Sequence, residues 1–128
     1  MRAALAAPIM AGALFVLPSC GQGEAPVLTD SYFSMRDARI CGGLDPRMNV
    51  DAMTREENRT EAILEFGRRN GVGPAIDAAE QHWIETDGYS DKICPFQDVG
   101  ELDERTPSLE IYQAANNALE AAIAAEAQ

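Results

Sequence analysis

The stretch from Thr106 onward constrains the fold most. Thr106-Pro107 announces a helix, and the apolar residues that follow recur at helical spacing almost to the end of the chain. Ile111, Tyr112, Ala115, Leu119, Ala122 and Ile123 fall on one face. Glu110, Gln113, Asn116, Asn117 and Glu120 fall on the other. A helix of this kind is stable only when its apolar stripe is covered, so the rest of the chain must supply partners. No segment alternates as a strand does, and no internal repeat is visible.

The partners are three further helices. The first starts after Thr29 or Asp30, either of which can cap it, carries Tyr32, Phe33, Met35, Arg36 and Ile40, and stops at Gly42-Gly43. A connection over 42–53 follows, with a turn at Asp45-Pro46. Thr54 and Glu57, three apart, fit a capping box for the second helix. It presents Ile63, Leu64, Phe66 and Gly67, carries Arg68 and Arg69 in its last turn, and ends at Asn70-Gly71. Pro74 opens the third, which runs to about residue 86 with Ile76, Ala79 and Trp83 on one stripe and Ile84 beside it; Asp87-Gly88 closes it. The fold class is therefore all-α: a small antiparallel four-helix domain over residues 30–128.

The N-terminus has a different character. Met1-Arg2 supplies one positive charge, and residues 3–17 (AALAAPIMAGALFVL) are uncharged and almost wholly apolar. Fifteen residues fall short of the roughly 20 needed to span a bilayer, and Pro8 and Pro18 interrupt or end the run. That length suits the hydrophobic region of a secretory signal. Leu17-Pro18-Ser19-Cys20 closes the run and resembles the lipobox of bacterial lipoproteins, with Pro18 a less usual occupant of its position. The resemblance covers residues 1 to about 21. It implies removal of residues 1–19 as a signal peptide and attachment of diacylglycerol to the Cys20 thiol, with N-acylation in many species. Membrane attachment through Cys20 is physically sound, because two or three acyl chains anchor stably where one is marginal. In lipoproteins that resemble enterobacterial ones, Gly21 rather than Asp after the cysteine favours the outer membrane, with the protein facing the periplasm. The alternative is an ordinary secreted protein cleaved a few residues later, with Cys20 an odd thiol. Residues 20–29 then read as the lipidated cysteine and a tether.

With Cys20 assigned to lipid, Cys41 and Cys94 remain as an even pair in an oxidising compartment, which reads as a disulfide. A redox thiol or a metal ligand is the competing reading, but there is no Cys-x-x-Cys and a single histidine. In an up-down-up-down order the 42–53 connection and the 87–106 loop share one end, and the two cysteines share it too.

Charge excludes some functions. The chain has 21 acidic and 10 basic residues, a net charge of −11. That argues against nucleic acid, which selects a basic face, and against adhesion to anionic lipid through clustered Lys and Arg.

Chemistry is sparse. His82 flanks the apolar stripe of the third helix with no partner nucleophile: Ser31, Ser34, Ser90 and Ser108 sit in unrelated contexts and no Gly-x-Ser-x-Gly occurs. Glu85, Asp87 and Asp91 in "ETDGYSD" have the look of a calcium loop, yet Gly88 is misplaced and the twelfth position is Phe96 rather than Glu. Asn58-Arg59-Thr60 matches a glycosylation pattern but falls inside a helix. Trp83 reads as core. No catalytic residue, metal set or cofactor motif is assigned. The 87–106 loop stands apart, because about twenty irregular residues are uncommon in a compact domain. It carries Tyr89, Ile93, Pro95 and Phe96 among its acids, tied down at Cys94, and reads as a docking surface for another protein of the envelope. The expectation is a lipid-anchored binding or accessory module. A small-molecule or cation binder using the acidic loops is the alternative, and an enzyme is disfavoured.

Overall fold

A computed structural model describes residues 25–88, Cys94 and residues 106–128. Four helices account for nearly all of them: α1 (Pro26–Leu44), α2 (Val50–Arg69), α3 (Gly73–Thr86) and α4 (Pro107–Glu126). There is no strand among the described residues.

Helix α4 starts as its sequence dictates. The Leu109 N–H donates to the Thr106 hydroxyl at 3.2 Å, and Pro107 occupies the first turn, where a missing N–H costs nothing. Helix α3 likewise begins beside Pro74 and ends at Asp87-Gly88. Between α2 and α3, Gly71 takes φ +85°, a conformation that L side chains rarely adopt, and the Val72 N–H returns to the Gly67 carbonyl at 2.8 Å.

Two helix starts lie upstream of the expected residues. Helix α1 begins at Pro26, so residues 26–29 belong to the helix rather than to a tether, and neither Thr29 nor Asp30 caps it. The reason is Leu28, which is fully buried and would be lost to the core if the helix began later. Helix α2 begins at Val50, four residues before the Thr54–Glu57 box. Asn49 is the cap: its side chain accepts from the Ala52 N–H at 3.0 Å. The earlier start places Ala52 and Met53 in the core.

Helix α1 also runs past Gly42-Gly43 to Leu44. Gly42 serves close packing rather than termination: a Cβ there would lie 2.9 Å from Met53 Sδ. Asp45, the residue before Pro46, turns extended and ends the helix. Its carboxylate accepts from the Arg47 N–H at 2.9 Å, so a turn does form at Asp45-Pro46.

Helix α1 packs on α4 and α3, and α2 packs on the same two, while α1 and α2 meet only slightly. The order around the bundle is therefore α1, α4, α2, α3, with sequence neighbours α1 and α2 across a diagonal. At one end the Thr106 hydroxyl points to Met48 Sδ at 4.0 Å, bringing the start of α4 to the start of α2. At the other end Gly67 lies against Ile76 and Ile123, joining the end of α2, the start of α3 and the end of α4. These two junctions fix the antiparallel up-down-up-down course. Leu28, Met35, Ile76, Leu109, Tyr112, Leu119 and Ile123 are fully buried along the axis. Each fully buried aliphatic side chain contributes about 1.5–3 kcal/mol. No helix among the described residues is long and apolar enough to cross a membrane.

Candidate functional site

Cys41, near the end of α1, is disulfide-bonded to Cys94 across a Cα–Cα distance of 5.4 Å and a sequence separation of 53. Met48 and Thr106 lie at the same end, with Met48 beside Gly42, so the end of α1 and the starts of α2 and α4 gather there. The bond fixes one point of the 87–106 loop against α1. Asp45 is buried beside Arg47, whose Nε lies 3.8 Å from its Oδ1. Asp45 Oδ2 and the buried Ser108 hydroxyl find no hydrogen-bond partner among the described residues. The expected docking residues Tyr89, Ile93, Pro95 and Phe96 lie outside the described residues, as do Asp91, Ser90, Cys20 and the whole lipobox.

The sequence-selected polar residues of α3 do not converge. His82 is exposed, its ring 5.4 Å from that of Phe33 and tilted by 42°. Glu85 is exposed and accepts from the Gln81 side-chain amide at 2.9 Å. Both face a shallow groove between α1 and α3 of about 610 Å³, where Asp30 is the other acid. Among the described residues, no group of three or more His, Cys, Asp or Glu is placed to hold a metal ion. Trp83 is core, as its stripe implies: it is buried, and its indole N–H donates to Asp37 Oδ1 at 3.2 Å. The Arg36 guanidinium covers the indole at 4.1 Å from the ring centroid and donates to the Tyr32 hydroxyl at 2.8 Å. Burial raises the Tyr32 phenol above its ordinary pKa, and the Arg36 hydrogen bond opposes that shift.

The densest polar chemistry lies between α2 and α4, at residues that polarity alone assigned to the exposed face. Asn116, assigned to the polar face of α4, is fully buried. Its amide N–H groups donate to Glu56 Oε1 at 3.0 Å and to the Glu56 carbonyl at 3.2 Å. Its Oδ1 accepts from the Thr60 hydroxyl at 2.9 Å, and Tyr112 Oη lies 2.7 Å from the same hydroxyl. Thr60 has a single proton and two acceptors for it, Asn116 Oδ1 and the Glu56 carbonyl at 3.1 Å, so the arrangement that satisfies the most groups has Tyr112 donating to Thr60. The result is one connected network that links Tyr112, Thr60, Asn116 and the Glu56 carboxylate. Burial raises the Tyr112 phenol above its ordinary pKa, with the Thr60 hydrogen bond opposing. Arg59 covers the open side: it meets Glu56 at 3.5 Å and Glu120 at 3.2 Å, and bonds Asn117. A signal for Asn116 was present in its spacing, four residues after Tyr112, three before Leu119 and seven before Ile123. The Asn58-Arg59-Thr60 pattern is likewise accounted for: Thr60 is wholly buried and its hydroxyl committed inside the bundle.

Below Arg59 an apolar groove of about 330 Å³ opens between α2 and α4, lined by Ala62, Ile63, Phe66, Ile123 and Ala124. Phe66 is 45% exposed there. No protein family matches the chain, and no curated protein or solved structure matches it.

Proposed function

We propose that this chain is a lipid-anchored envelope protein that faces the periplasm from the outer membrane and acts as a binding or accessory module for another envelope protein. The observation that carries the reading is Leu17-Pro18-Ser19-Cys20 after a fifteen-residue apolar run, with Gly21 following. Removal of residues 1–19 leaves 9 basic and 21 acidic residues and a net charge of −12, which suits a module kept in solution above a membrane. The disulfide end supports the docking part of the proposal. Residues 87–106 are tied at Cys94 to the end of α1 that points away from the anchored terminus. With α1 19 residues long, the tie lies on the order of 25 Å from the start of the bundle.

Two sets of substitutions test the parts separately. Cys20→Ser releases the protein from membranes if the anchor is lipid, and normal processing with full membrane retention overturns the anchor. Tyr89→Asp, Ile93→Asp and Phe96→Asp each abolish in-cell crosslinking to the partner while helical circular dichroism stays intact. Recovery of the same crosslinked partner with all three overturns the docking surface.

A further inference from the structure

The end of the bundle opposite the disulfide carries a second surface. Gly67 draws the last turns of α2 and α4 to the start of α3 through Ile123 and Ile76, and α1, which runs antiparallel to α2 with Gly42 beside Met53 and Arg39 beside Glu57 and Glu61, begins at the same end. Val27 is 70% exposed and Phe66 45% exposed at this end. Phe66 also forms one wall of the groove with Ala62, Ile63, Ile123 and Ala124, which extends the apolar surface along α2 and α4. Arg69, in the last turn of α2, is exposed and makes no ion pair among the described residues.

We propose that this end contacts the bilayer surface, with Val27 and Phe66 entering the headgroup region and Arg69 meeting lipid phosphate. The proposal rests on the lipid anchor at Cys20. The length of chain between anchor and helix selects this end of the bundle. Helix α1 begins at Pro26 with Ala25 at its cap position, five residues after Cys20. Five residues span at most about 17 Å even when fully extended. The start of α1 is thereby held within that distance of the membrane, at an effective concentration no free partner matches. Exposed apolar residues alone would not choose this end, because Leu44 and Val50 are exposed at the disulfide end at 60% and 74%. The tether discriminates between them: Leu44 lies at the far end of α1. Apolar burial and the tether drive the contact, and charge does not, since the chain as a whole is acidic, with a net charge of −11. The bundle therefore stands with α1 rising from the surface and the Cys41–Cys94 end facing outward.

The test uses the lipidated protein purified from membranes and reconstituted into phosphatidylethanolamine vesicles whose acyl chains carry bromine, a short-range quencher of indole emission. Phe66→Trp and Val27→Trp are compared with Leu44→Trp, each above the constant background of Trp83, which is 4% exposed. All three sites are exposed, so the fold tolerates the ring. Residues seated at the depth reached by interfacial apolar side chains predict quenching of the added emission at least about threefold stronger at positions 27 and 66 than at 44. Equal quenching at the three positions on a chain whose intact mass shows acylation overturns the contact and leaves the anchor standing. An unacylated mass with no vesicle association overturns the anchor, and the contact with it.

Discussion

The Thr60 hydroxyl of α2 donates to Asn116 Oδ1 of α4 across 2.9 Å, at a level of the bundle where both residues are wholly buried. The pair joins helices that are distant in sequence and sets their register, because only one sliding position puts the Asn116 amide within reach of both Glu56 oxygens. Asn116→Ala strips the buried amide from the Glu56 carboxylate, which keeps Arg59 at 3.5 Å, and from the Thr60 hydroxyl, which keeps Tyr112 and the Glu56 carbonyl, and destabilises by about 1–3 kcal/mol. Thr60→Val combined with Asn116→Leu costs less than the sum of the single changes, with a coupling of about 0.5–3 kcal/mol. Urea denaturation of the four proteins measures the cycle. A coupling near zero would show that the chain of donors contributes no cooperativity.

How far the fold was legible follows from such residues. Local signals sufficed where one cap competed with no other: Thr106-Pro107 placed α4, Pro74 placed α3, and Gly71 ended α2. They failed where several cap residues crowd together. Asn49, Thr54, Thr29 and Asp30 are all competent caps, and the choice falls to burial of Leu28, Ala52 and Met53, which no local pattern reveals. Face assignment failed in the same way. Polarity put Asn116 outside and Ile111 inside, yet Asn116 is buried in a network with residues 56 and 60 positions away, and Ile111 is 43% exposed. The Cys41–Cys94 bond was legible because, once Cys20 was set aside, one pairing remained.

That bond closes the longest covalent loop available to the domain. Reduction, or Cys41→Ala with Cys94→Ala, destabilises by about 4 kcal/mol for a separation of 53 residues on the chain-entropy account. The difference between denaturation midpoints with and without reductant reads it directly. A loss under about 1 kcal/mol would mean that the oxidised loop relieves no entropy of the unfolded chain.

Arg36 joins α1 to α3 through the faces and edges of two aromatic rings. Its guanidinium lies over Trp83, donates to Tyr32 and stands 4.0 Å from Glu80 on a half-exposed surface, where the ion pair adds little. Arg36→Met keeps the stem and loses the cation, at a cost of about 0.5–2 kcal/mol. Arg36→Ala also uncovers the indole and costs more. Trp83 emission reports both changes: it shifts to longer wavelength in Arg36→Ala and stays near the parent value in Arg36→Met.

Alkaline stability depends on the two buried phenols. Burial raises both Tyr32 and Tyr112 above the ordinary value of 10.0 in the folded state. Their contribution is therefore fully present below about pH 10, where folded and unfolded chains alike hold the proton. Above that pH the unfolded chain gives up protons that the folded chain retains, so stability falls until the folded phenols ionise in turn. In that window each tyrosine steepens the decline by up to about 1.4 kcal/mol per pH unit. Tyr112→Phe removes one such component, and it lowers stability at neutral pH as well, because Thr60 loses its donor. Urea midpoints between pH 8 and pH 11 separate the two effects: the variant starts lower and falls less steeply. A parent and variant with parallel curves above pH 10 would place the alkaline transition on other groups.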